Sequence, residues 1–243
     1  MTAPSMAFVS GPALSRWVAL WRGLGQGLVP PQCPACFSRI TTRGRLCLTC
    51  ARTLEDEGGP TRVELDALSV HAAGSFSGIW AEVVRSYKED PSGGVPGVVL
   101  PRFEALLRDR IHDDDPILVP VPMAPVRRRE RGFSPVETLA RAVAARIGWR
   151  CELAWIRRTR YRRPLRGLSA AERRTEMHRA VEPTLRGARA LVRIADAGAV
   201  VVLIDDVLTT GSTLSACAGA LRTAAGEGLR VEAAVLGATP VSA

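Results

Sequence analysis

Aromatic side chains make up only 5% of this 243-residue chain, which also holds a single lysine, Lys88, and three histidines. Each shortage excludes something. Few rings leave few platforms for stacking single-stranded nucleic acid. His71, His112 and His178 are scattered, with no Ser or Cys partner at a useful spacing, so a histidine-activated nucleophile is not expected. No apolar run reaches the roughly 18–20 residues that a membrane span needs. Trp17-Val18-Ala19-Leu20-Trp21, set between Arg16 and Arg22, is short and lacks the apolar core and cleavage site of a secretory signal. It reads as a short amphipathic helix, and the cytoplasm is the expected compartment. With 47% hydrophobic and 23% charged residues, the chain is neither disordered throughout, collagenous nor a coiled coil. Its length suits one domain, or one domain with a small module.

Acidic charge is also in short supply. Lys and Arg number 33 against 24 Asp and Glu, a formal net charge of +9. The preference for arginine over lysine reads as codon bias in a GC-rich genome. Its clustering says more, because Val126 to Arg193 holds 19 Arg and 6 acidic residues. Such a field favours phosphate-rich partners, whether nucleic acid or small phosphorylated metabolites. A plain solvated basic surface would look the same. Lys88 follows Tyr87 at the expected end of a helix and reads as a surface lysine. Asp113-Asp114-Asp115 reads as a solvated loop.

Six cysteines are present, four of them in two pairs: Cys33-x2-Cys36 and, after ten residues, Cys47-x2-Cys50. In a reducing compartment this spacing predicts a tetrahedral thiolate site for structural zinc, with disulfides as the alternative. Four protein ligands leave no open position for catalysis. Cys151 and Cys217 read as small buried apolar residues.

The chain divides into a helical lead (1–28), a zinc knuckle (29–52), an acidic linker (53–68) and a main domain (69–243). In the main domain, strand-like and helix-like segments alternate. An edge strand is expected at Ser69–Ser75, helices at Gly78–Tyr87, Val98–Arg110, Pro135–Ile147 and Thr213–Ala225, and strands at Pro116–Pro122, Val200–Ile204 and Val231–Leu236. This alternation predicts an α/β fold, a parallel sheet flanked by helices.

The sharpest segment runs from Val200 to Leu214. A buried β-branched strand ends in Asp205-Asp206, and Thr209-Thr210-Gly211-Ser212-Thr213 leads into a helix. Small hydroxyl residues and one Gly at a helix start offer backbone N–H groups, hydroxyls and the positive end of a dipole, which together cradle phosphate. Two carboxylates beside such a cradle suit a ligand with hydroxyls, or a cation. A ribose 5-phosphate satisfies both. The absence of Gly-Lys-Thr sets the loop apart from the P-loop of nucleotide-hydrolysing enzymes.

The run VVLIDDVLTTGST resembles the 5-phosphoribosyl 1-pyrophosphate (PRPP) motif of type I phosphoribosyltransferases over thirteen contiguous residues. Three further pieces are the four-cysteine knuckle, Val119-Pro120-Val121-Pro122 followed by Arg127-Arg128-Arg129-Glu130-Arg131-Gly132-Phe133-Ser134, and Gly167-Leu168-Ser169-Ala170-Ala171-Glu172-Arg173-Arg174. Their order is similar to the ComF family, which joins a zinc knuckle to a phosphoribosyltransferase-like domain. The resemblance spans about residues 29–240. It implies magnesium-dependent PRPP binding and displacement of pyrophosphate from C1 of the ribose. Asp205 and Asp206 would hold the ribose hydroxyls, directly or through magnesium. Thr209, Thr210, Gly211, Ser212 and Thr213 would cradle the 5-phosphate. Arg131, helped by Arg127, Arg128 and Arg129, would face the pyrophosphate from a loop, and Arg173 and Arg174 would close over it. The resemblance also implies a role in DNA uptake during competence, with single-stranded DNA and competence proteins as partners. A non-catalytic DNA-binding accessory is therefore the competing reading. Where the family carries Asn-Gln after Arg-Gly-Phe, this chain has Ser134 and Pro135. Leu165 and Glu176 stand where the family has a Gln and an Asn.

Overall fold

The computed structural model describes residues 30–42, 44–90, 94–113, 115–159, 167, 169, 172, 175–176, 179–226 and 228–239. The helical lead expected over 1–28 lies outside them, as do Leu165, Arg173 and Arg174. Among the described residues, no helix is long and apolar enough to cross a membrane.

A six-stranded sheet organises the chain in the order β1-β2-β8-β7-β3-β4. The strands are β1 (Thr61–Leu65), β2 (Leu68–Ala72), β3 (Ile117–Pro120), β4 (Arg150–Cys151), β7 (Val200–Leu208) and β8 (Arg230–Ala238). Only β1 runs antiparallel to its neighbour. A separate ribbon pairs β5 (Ile156–Arg158) with β6 (Val181–Pro183). The segment expected as an edge strand at Ser69–Ser75 is interior, because β1 covers its outer side. The hairpin turn at Asp66-Ala67 brings β1 back onto β2, with Asp66 at φ +51°. Residues 53–68, expected as a linker, hold the end of α1 (Leu48–Asp56) and all of β1.

Strand alternation sorts the core into two layers. Val200, Val202 and Ile204 face α2 (Gly78–Glu89), α3 (Val99–Arg110) and α5 (Pro135–Ile147). Val201 and Leu203 face the other layer, formed by α6 (Leu185–Asp196), α7 (Ser212–Ala225) and the β5–β6 ribbon. All five side chains are fully buried, as a central parallel strand requires.

The cysteine segment shares the first core. Cys33, Ala35, Cys50 and Leu54 pack in one cluster with Trp80, Val83 and Val84 of α2. Glu57 fastens the two parts polarly, accepting from Ile79 N–H at 2.6 Å and Trp80 N–H at 3.1 Å. Those are unpaired donors of the first turn of α2, which Ser77 leaves uncapped by its side chain. At its other end, α2 is tied down by the Tyr87 hydroxyl, which donates to the Pro135 carbonyl at the start of α5.

Candidate active site and four-cysteine cluster

The acids sit within β7 rather than at its end. Pairing with β8 continues past them, with Val207 opposite Gly237 and Leu208 opposite Ala238. Consecutive residues of an extended strand leave on opposite faces, and the neighbours agree. Asp206 lies on the α2 face, with Lys88 Nζ 3.0 Å from its Oδ2. Asp205 lies on the α7 face, where Cys217 and Arg158 of β5 feel its field. The Asp206 N–H donates to Asp205 Oδ1 at 2.8 Å. Desolvation, and then the neighbouring Asp206 charge, push Asp205 up to about 7, against partial relief from the Asp206 N–H, Lys88 and Arg158.

Beyond Leu208 the chain turns through three residues. Thr209 and Thr210 are exposed and Gly211 is buried in the left-handed region, at φ +72°. A Cβ on Gly211 would stand 2.3 Å from Leu65 Cδ1, so Leu65 would have to swing aside, and the left-handed backbone itself favours glycine. Helix α7 then starts at Ser212, one residue earlier than expected, with no side-chain cap. Its neighbours differ: Ser134 caps α5 and Thr184 caps α6. Thr210 and Ser212 hydroxyls lie 3.0 Å apart at the mouth of the turn. The Ser212 N–H donates to Thr210 Oγ1 at 3.5 Å; together with the other first-turn N–H groups, the dipole and these hydroxyls, the turn can receive an anion. Ser212 and Thr213 are half-buried within it.

The arginines expected on a loop are on a helix, α4 (Pro125–Arg131). Pro125 supplies the preset φ of the first turn, and Gly132 ends the helix. α4 follows the carboxyl end of β3, whose Pro120 pairs with Ile204 just before the acids. Arg127, Arg129 and Arg131 are exposed, and among the described residues no ion pair holds them. Arg128 is engaged by both carboxylate oxygens of Glu137. Two of the departures from the family pattern acquire local roles here. Ser134 accepts from Glu137 N–H, and Pro135 opens α5. Glu176 is buried and lies 3.5 Å from Arg179.

The four cysteines converge. Their sulfur atoms all lie within 4.8 Å of one another. Cys36 Sγ and Cys47 Sγ are 3.7 Å apart, near the edge of about 3.8 Å expected of a tetrahedron with Zn–S bonds of about 2.3 Å. The separation is far beyond a disulfide bond. Cys47 also caps α1, its sulfur accepting from Cys50 N–H. Phe37 holds the knuckle turn at φ +60° with its N–H on the Cys33 carbonyl. Hydrogen bonds from the Ser38 side chain and backbone hold the Cys36 thiol down to about 6, whereas burial raises that of Cys50. Four soft ligands at this spacing can hold a zinc ion with every position filled.

Two groups at the acid pair escape sequence reasoning. Lys88 reads as a solvated lysine, and Arg158 is one of many arginines. Nothing in the local pattern shows which strand a helix end or a ribbon will meet. Arg158 of β5 and Lys88 of α2 flank the acids from opposite layers.

No curated protein matches the chain. Residues 129–242 match the sequence family described as phosphoribosyl transferase domain. The mostly parallel sheet and the strand–acids–turn–helix unit within that span agree with this match, and a four-cysteine cluster lies ahead of it in the chain.

Proposed function

We propose that this chain is a ComF-type protein that binds PRPP, or another ribose 5-phosphate, at the carboxyl end of β7 and acts as a phosphoribosyltransferase. The observation that carries the reading is the uncapped start of α7 directly behind two carboxylates. Thr209, Thr210, Gly211, Ser212 and Thr213 take the 5-phosphate on backbone N–H groups and hydroxyls. Asp205, on the α7 face, accepts from the ribose hydroxyls, while Asp206 shapes the charge behind it. Arg131, with Arg127 and Arg129, faces the leaving pyrophosphate, where guanidinium forks suit phosphate oxygens. Arg128 must first leave Glu137 to join them.

In the transfer, the C1–oxygen bond to pyrophosphate breaks and its electron pair departs on the pyrophosphate. A lone pair of the acceptor forms the new bond at C1, and the acceptor gives up a proton. The fixed cations of α4 stabilise the charge that develops on the leaving group. The acid pair offers magnesium its preferred oxygen donors. It does not suit direct coordination, because Lys88 already sits on Asp206 and the two carboxylates diverge. Magnesium is therefore assigned to the pyrophosphate with which it enters, and the cysteine cluster to structural zinc. Four reduced thiols suit a cytoplasmic setting.

Arg127, Arg129 and Arg131 of α4, exposed and without an ion pair among the described residues, also favour a second reading, a DNA-handling accessory of competence that holds strand phosphates. Thermal-shift measurements separate the two. PRPP should raise the unfolding midpoint in a concentration-dependent way, and Thr210→Ala with Ser212→Ala should weaken that response about tenfold or more. Single-stranded DNA at matched phosphate should lose its effect as salt rises. A shift with DNA and none with PRPP would overturn the transferase reading.

A further inference from the structure

The one lysine of this chain is placed against the one pair of consecutive acids in the central strand. Lys88 Nζ is 3.0 Å from Asp206 Oδ2, with the two side chains 29% and 19% exposed. The contact is not left to a floppy helix end. One residue earlier, the buried Tyr87 hydroxyl donates to the Pro135 carbonyl. At the other end of the helix, Trp80 Nε1 donates to the Leu236 carbonyl at 2.6 Å. Leu236 lies in β8, beside β7. The ammonium is thus delivered to Asp206 by a helix bolted at both ends to the sheet and to α5.

A divalent cation bound by Asp206 would have to share that carboxylate with a positive charge already in place. Two cations within one hydrogen-bond length of the same oxygens repel strongly in a partly desolvated site. Asp205 cannot complete a chelate from the same side, because it leaves β7 on the opposite face.

We propose that Lys88 is a positioning residue: its ammonium occupies the cation position beside Asp206, holds that carboxylate on the α2 face and keeps divalent metal from binding the acid pair directly. Describing the acid pair as part of a ribose-phosphate site rests on the reading above; the cation claim rests on the geometry alone. It follows that metal enters on the ligand and that Asp205 meets the ribose without a metal bridge.

The test uses manganese(II) alone, titrated into the full-length zinc-loaded protein and followed by the electron paramagnetic resonance of the free ion. With the thiols filled by zinc, the hard ion is left to oxygen ligands. Wild type and Lys88→Arg should bind weakly. Lys88→Met should bind about tenfold or more tightly, and Lys88→Met combined with Asp206→Asn should return to weak binding. A merely structural lysine would not move this readout. Equal, weak affinities in Lys88→Met and wild type would overturn the proposal. So would tight binding by wild type that Asp206→Asn abolishes, a result that needs no Lys88 variant to fold. If wild type takes up no PRPP, the ribose-phosphate reading falls, while the manganese result still decides the role of Lys88.

Discussion

Gly211 carries two demands at once. Its backbone lies at φ +72°, and a Cβ there would strike Leu65. Gly211→Ala should therefore lose about 2–3 kcal/mol of stability in urea unfolding and most of its affinity for ribose phosphate, since the cradle must shift. Retained stability with unchanged binding would contradict this account of the turn. Asp205 makes a pH prediction. Its folded-state pKa is raised from an ordinary 3.8 to about 7. The fold therefore favours the protonated carboxyl, whose contribution is full below about 4 and is lost as pH rises to about 7. Lys88 and Arg158 offset part of this, and Asp206 adds to it. Asp205→Asn should be more stable than wild type by about 1–2 kcal/mol at pH 8, allowing for partial solvent access. The gain should shrink as pH falls toward 4. Chemical unfolding at a series of pH values checks it, and a gain independent of pH would contradict it.

Helix α2 links the cysteine segment to the acids, with Glu57 on its first-turn N–H groups and Lys88 on Asp206. Glu57→Ala should cost about 1 kcal/mol, the usual scale for a lost cap, read as a lower urea midpoint. Filling the cluster with zinc should hold α1 against α2. Chelation of the ion, or Cys36→Ser, should release one zinc per chain by elemental analysis. A loss of about 3 kcal/mol would lower the melting temperature by roughly 6–12 °C in a chain of this size. The amphipathic and β-branched elements were legible in the sequence. Pro135–Ile147 matches its expected bounds, and the Val200–Ile204 run lies inside β7. α4 was not legible, because a seven-residue arginine-rich stretch with no apolar face carries no helical periodicity. The length of β7 also escaped, since carboxylates are poor strand formers. Pairing with β8 on one side overrides that preference.

The charge of the chain now has an address. Its arginine surplus includes an exposed α4 beyond the carboxyl end of β3, beside the strand that bears the acids, where a polyanionic ligand would lie. The cysteine spacing announced a cluster, and the run from Val200 to Leu214 announced the strand, turn and helix start around the acids, because both are contiguous in sequence. Lys88 and Arg158 were hidden, because their partners are set by which layers pack on which face of β7. The same folding separates Asp205 from Asp206, which the sequence presents as a matched pair. The central claim is that this arrangement binds a ribose phosphate. Calorimetric titration of PRPP into the zinc-loaded protein, with and without magnesium and beside Asp205→Asn/Asp206→Asn, tests it most directly. The account predicts saturable binding, strengthened by magnesium and lost in the double variant. No heat of binding in folded wild type, or equal binding in the double variant, would contradict it.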